Sequence, residues 1–139
     1  MTSLVIDSKV ILSWLFRDAV TLPTDLLFTH VCDHGAMVPA NWHLEVAHHL
    51  LTIETARRIK RRDTDKHLEL LSEFSISVDP ETVGKAWHNI LDLARAGKIS
   101  PHQAAYLELA KRYRIALATK DKSLSAAALK LQIPLFFIT

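Results

Sequence analysis

Two short apolar runs, Leu4-Val5-Ile6 near one end of the chain and Ile115-Ala116-Leu117-Ala118 near the other, each lead up to an acid: Asp7 directly, Asp121 after Thr119-Lys120. Short apolar runs bounded by polar residues read as buried strands. Helical spacing fills the interval between them. Val10, Ile11, Trp14 and Leu15 share one face, Leu22 to Asp33 reads as a helix with Gly35 just past its end, and Trp42, Val46, Leu50 and Ile53 mark another. Leu68, Leu71 and Phe74 follow, and then Val83, Trp87, Ile90, Leu91 and Ala94 form a stripe ended at Gly97. Ser100-Pro101 opens a further helix, with a hydroxyl at the N-cap and proline at the first helical position, and Lys122 to Leu131 reads as the last one. Ser75 to Val78 and Pro134 to Ile138 read as additional short strands, and Met37-Val38-Pro39 as a connector. Strands alternating with helices predict an α/β three-layer sandwich, a mostly parallel sheet of four to five strands flanked by helices. In open sheets of this kind ligands sit outside the carboxyl ends of the strands, so Asp7 and Asp121 are expected to face one cleft.

The 139 residues suit a single domain, 1–139, able to bury a core without staples. Three glycines, no repeat and no low-complexity tract leave no linker to divide it. The net charge of +2 is too small to argue for a nucleic-acid partner, so local clustering has to. The single cysteine, Cys32, excludes an internal disulfide and fits a reducing compartment. No basic leader precedes a long apolar stretch and no apolar run reaches spanning length, so a cytoplasmic protein with no membrane partner is expected.

Each candidate residue has a plain structural role as well as a chemical one. Asp7 and Asp121 precede helices and suit N-caps. Glu45 shares a polar helix face with Asn41, His48, His49 and Thr52. Gln103 completes a capping box with Ser100, and the same position lies at the mouth of the expected cleft. His43, Glu45, His48 and His49 crowd one helix, but the Glu45-x-x-His48 spacing has no second copy to complete a di-iron site, and H-E-x-x-H is absent. No nucleophile elbow or glycine-rich phosphate loop occurs. Arg57, Arg58, Lys60, Arg61 and Arg62, with Lys66, form the densest basic run: a solvated helix end or a phosphate-binding patch. Acids that can hold Mg²⁺ or Mn²⁺, set apart from a basic stretch that can hold a phosphate backbone, are what a metal-dependent nuclease needs.

Four segments in order resemble the PIN domain: the first-strand "VID", "VPANWHLEVAHHL" at Val38 to Leu50, "AAYLELA" at Ala104 to Ala110 and "LATKDKSL" at Leu117 to Leu124. Their order and spacing are similar to the VapC-type toxins of bacterial toxin–antitoxin pairs, over nearly the whole chain. The resemblance implies a metal-dependent endoribonuclease whose acids bind Mg²⁺ or Mn²⁺ and activate water to cut RNA. By position it makes Asp7, Glu45 and Asp121 the metal ligands, with Thr119 the hydroxyl residue two places before the last acid. It also implies a cognate antitoxin and a homodimer.

Two positions depart from the family. Gln103 stands where the family usually carries Asp. Its amide oxygen ligates a hard cation more weakly than a carboxylate, and Glu108, five residues on, faces elsewhere. Lys9 stands where Ser, Thr or Asn is usual. Its ammonium either enters the cleft and neutralises Asp7 or extends outward. Together the changes favour one ion over two, and they keep a second reading open: a degenerate PIN domain that binds RNA or protein without cutting.

Overall fold

The protein is described by a computed structural model that covers residues 3–16 and 22–136, the side chains of 22–24 excepted. Strands β1 (Leu4–Ile6), β2 (Ala36–Val38), β3 (Ile76–Val78) and β4 (Leu117–Ala118) form one sheet in the order β3-β2-β1-β4, and every pairing is parallel. Helices α1 (Val10–Leu15), α2 (Leu22–His34), α3 (Trp42–Thr55), α4 (Arg61–Leu71), α5 (Thr82–Lys85), α6 (Leu91–Gly97), α7 (Pro101–Tyr113) and α8 (Lys122–Lys130) surround it, with a π-turn, Ala86–Ile90, between α5 and α6. This is the expected α/β sandwich, with four strands. β1 lies at the centre because Leu4, Val5 and Ile6 are all buried, and a strand covered on both faces needs an unbroken apolar run.

Three expectations need correction. Ala36–Val38 is a strand, not a connector: it pairs with β1 on one side and β3 on the other. Three residues are too few for alternation to announce a strand. The proposed terminal strand from Pro134 reduces to one bridge, Leu117 to Leu135, and residues 137 and 138 lie outside the described residues. The stripe from Val83 to Ala94 divides. Ile90 and Ala94 are buried, whereas Val83 is 80% and Trp87 85% exposed. The π-turn accommodates an extra residue per turn, which rotates the apolar face midway.

Glycine behaves differently at the two helix ends. Gly35 follows α2 at φ +75°, the left-handed position expected of it. Gly97 is instead the last residue of α6, and Lys98 takes the left-handed turn at φ 55°. A Cβ at Gly97 would stand 3.1 Å from the Ala127 Cβ on α8, so this glycine permits close helix packing.

Helix α7 is buried without a break from Ala104 to Ala110. Small residues at 104, 105 and 110 allow that close approach, while Tyr106, Leu107 and Leu109 fill the core. The one charge in the run, Glu108, bonds Arg112 one turn on, at 2.9 and 2.8 Å. Arg112 also reaches buried Asp79, at 3.1 and 2.6 Å, and Glu81, at 3.1 Å. Among the described residues no helix is long and apolar enough to cross a membrane.

Candidate functional site

The strand order sets the site. The chain winds outward from β1 through β2 to β3, then returns to the other side of β1 for β4. The reversal opens a crevice at the carboxyl ends of β1 and β4. Asp7 follows β1 and Asp121 caps α8 just after β4. Glu45, from the first turn of α3, and Gln103, from the first turn of α7, complete a cleft of about 280 Å³. Asp7, Glu45, Gln103, Asp121 and Thr119, remote in sequence, are thus brought together.

Each carboxylate is held by hydroxyl or amide donors. Asp7 is buried and accepts 2.7 Å from the Thr119 hydroxyl, with Ser8 Oγ at 3.4 Å. Its side chain is turned to these partners, and the cap position of α1 falls to Lys9. Glu45 Oε1 accepts from Ser8 Oγ at 3.0 Å and the Tyr106 hydroxyl at 2.7 Å, while its Oε2 accepts from the Asn41 amide. Asp121 fills its cap role in full: Oδ1 accepts from the N–H groups of Ser123 and Leu124 at 2.9 and 3.1 Å.

Gln103 also serves two ends at once. Its Oε1 accepts the Ser100 N–H at 3.0 Å, the capping-box bond, and its Nε2 donates to Asp121 Oδ2 at 2.9 Å and Ser123 Oγ at 3.0 Å. A backbone N–H can only donate, so the amide oxygen must face Ser100. The group turned to the cleft is the NH₂, a donor. Gln103 orients Asp121 and offers no oxygen of its own.

Electrostatics separate the acids. Burial pushes the Asp7 carboxyl above its ordinary pKa, and the charges of Asp121 and Glu45 add to this against the pull of Thr119 and the Lys9 N–H. Burial also bears on Asp121, but bonds from Ser123, Leu124 and Gln103, with the Lys9 charge, hold it below the ordinary value. The Tyr106 hydroxyl is pushed far up by burial and the Glu45 charge, so it stays a donor. None of the three cleft acids makes an ion pair among the described residues, whereas buried Asp79 and Glu108 both pair with Arg112.

Lys9 pairs with neither Asp7 nor any other acid among the described residues. It is exposed and lines the rim of the cleft, yet its charge is felt at Asp121 and His49. His49, one turn beyond Glu45 on α3, places Nε2 3.0 Å from Ser8 Oγ, and burial followed by Lys9 lowers its pKa. Ser8, His49 and Tyr106 are cleft residues that sequence reasoning did not assign. The four-residue step from Glu45 to His49 was the one available signal.

The basic run stands apart. Arg57 and Arg58 follow α3, Lys60 precedes α4, and Arg61 and Arg62 open it, all exposed. The end of α3 at Thr55 is ten residues beyond Glu45, about 15 Å at 1.5 Å per residue, and Arg57 lies past it. A larger groove of about 540 Å³, lined by Leu44, Val83, Trp87 and Pro101, meets the cleft at His102, but it is mostly apolar.

No three His, Cys, Asp or Glu side chains among the described residues close round a metal position as they stand. In kind, the donors fit a hard divalent cation: three carboxylates, one of them pushed up by burial and then by the charges of the other two, and no cation paired with any among the described residues. No family model and no curated protein matches the chain. Among solved structures it is similar to the crystal structure of PAE2754 from Pyrobaculum aerophilum, with a TM-score of 0.68 and 18% identity, covering 91% of this chain and 79% of that one. At that identity the likeness is one of fold: this chain has the α/β architecture of that structure.

Proposed function

We propose that the chain is a metal-dependent endoribonuclease of the PIN type, the toxin half of a toxin–antitoxin pair. One contrast carries the reading. Among the described residues Arg112 pairs with buried Asp79 and Glu108, but no cation pairs with buried Asp7 or with Glu45 and Asp121 at the switch point of the sheet. Buried like charges are costly unless a cation joins them. Asp7, Glu45 and Asp121 would hold one Mg²⁺ or Mn²⁺, which lowers the pKa of bound water and offsets charge on the phosphate. Thr119 and Ser8 aim Asp7. Tyr106, Asn41 and Ser8 fix Glu45, and Gln103 and Ser123 fix Asp121. Arg57, Arg58, Lys60, Arg61 and Arg62 would bind RNA phosphates away from the cut. A cognate antitoxin, a homodimer and a cytoplasmic location belong to the same reading.

A second reading has its own support. The Gln103 amide donates where the family presents an acid, which favours a degenerate domain that binds without cutting. Purified protein incubated with structured RNAs and Mn²⁺ decides between them. Cleavage that disappears in Asp7→Asn supports the nuclease. No cleavage by the unaltered chain, with cleavage gained in Gln103→Asp, supports the degenerate domain.

A further inference from the structure

The two departures meet in one cleft: position 103 presents a donor instead of an acid, and position 9 adds an ammonium on the rim. We propose that Lys9 is a catalytic residue whose ammonium contacts the non-bridging oxygens of the scissile phosphate, supplying the charge that a fourth acid would otherwise recruit as a second metal ion. The inference rests on the nuclease reading above.

Three observations carry it. Lys9 lines the same cleft as Asp7, Glu45 and Asp121. Its side chain makes no hydrogen bond or ion pair among the described residues, so no described protein group holds its ammonium. Lys9 is exposed, so its ammonium is open to an incoming backbone phosphate at the mouth of this cleft, and its charge acts on Asp121 within it. Three carboxylates also repel an incoming phosphate, and an ammonium on a flexible stem is a ready point charge for one.

Hydrolysis forms one P–O bond from water and breaks one P–O bond to the departing oxygen. Water loses a proton to solvent, and the departing oxygen takes one up. Lys9 forms no bond and transfers no proton. It stabilises the negative charge on the non-bridging oxygens, which a positioned cation does most strongly where water is displaced.

The test uses the full chain, a short RNA and Mn²⁺, with Lys9→Gln, Lys9→Arg and Lys9→Gln/Gln103→Glu. Gln103→Glu keeps the capping oxygen and exchanges the cleft-facing NH₂ for oxygen. Steady-state kinetics and Mn²⁺ stoichiometry by calorimetry are read together, and circular dichroism verifies folding. The expected result is one Mn²⁺ per unaltered chain. Lys9→Gln should lose about 10²-fold in kcat, as when one charge-stabilising donor is removed, with Mn²⁺ affinity undiminished. Lys9→Arg should retain most activity, and the double variant should take up two Mn²⁺ and regain rate. Undiminished kcat in Lys9→Gln, or equal loss in Lys9→Gln and Lys9→Arg, overturns the role of Lys9 while the nuclease reading stands. An unaltered chain that binds no Mn²⁺ and cuts nothing overturns both.

Discussion

Asp7 is the residue on which fold and chemistry pull in opposite directions. Its folded pKa lies above the ordinary 3.8, so the native state keeps a proton that the unfolded chain has released, and stability falls as pH rises from 3.8 through the folded value. Asp7→Asn removes that decline. The metal-free variant should melt higher than the unaltered protein at neutral pH, the difference should vanish in acid, and calorimetric melting temperatures across pH check both. Ser100 is a simpler case. Its hydroxyl accepts the Gln103 N–H at 3.2 Å, so Ser100→Ala should cost about 1 kcal/mol of stability in urea unfolding. Both the Ser100–Gln103 pair and the acids at strand ends could be read from the sequence, because caps and strand ends are local. Ser8, His49 and Tyr106 could not. Ser8 meets His49 across 41 positions and Tyr106 meets Glu45 across 61, contacts that exist only once the sheet has assembled.

Helices with regular apolar spacing were recognisable along the chain: α1 and α3 fall where periodicity places them, and α2, α7 and α8 where their end signals do as well, although the Asp7 cap expected for α1 does not form. The shortest strand signals were not. Ala36–Val38 looks like a connector because its identity comes from pairing with β1 and β3, and periodicity cannot report on pairing. The π-turn hides for a related reason: a regular stripe across Val83 to Ala94 presumes an even pitch, and the pitch changes at Ala86. The turn from α2 into β2 is the joint most sensitive to substitution. A Cβ at Gly35 would lie 2.9 Å from the Ser75 carbonyl oxygen, at a φ of +75° that L residues resist. Gly35→Ala should therefore cost about 1–3 kcal/mol in urea unfolding.

The molecule as a whole divides its acids into a neutralised set and an exposed set of demands. Arg112 joins α7 to Asp79 beyond β3 and to Glu81, and among the described residues it is the one cation paired with the buried Asp79 and Glu108 carboxylates. Arg112→Leu leaves those carboxylates uncompensated and should destabilise by roughly 3–5 kcal/mol, measured by chemical denaturation. Burial opposes ionisation of Asp79, but Arg112, Glu81 N–H and Thr82 hold its pKa below the ordinary 3.8. The unfolded chain then binds more protons in acid, so this contribution is present above 3.8 and is lost as pH falls through the folded value. Asp79→Asn should flatten the acid limb of the unfolding midpoint as pH falls below 3.8. Sequence pattern could not foresee this tie, because Asp79 and Arg112 lie 33 positions apart on elements whose packing decides the contact.

The amide of Gln103 makes the cleft's charge balance turn on one atom. One atom separates it from a glutamate that would cap α7 equally well, yet that atom now donates to Asp121 at 2.9 Å. Exchanged for oxygen, it would face Asp121 acceptor to acceptor, and only a proton or a cation would hold the two apart. A glutamate at 103 would thus meet repulsion from Asp121 before any benefit unless a second cation were already there, and loss of the Lys9 charge would sharpen that repulsion. The consequences of substitutions at 9 and 103 are in that sense coupled through Asp121.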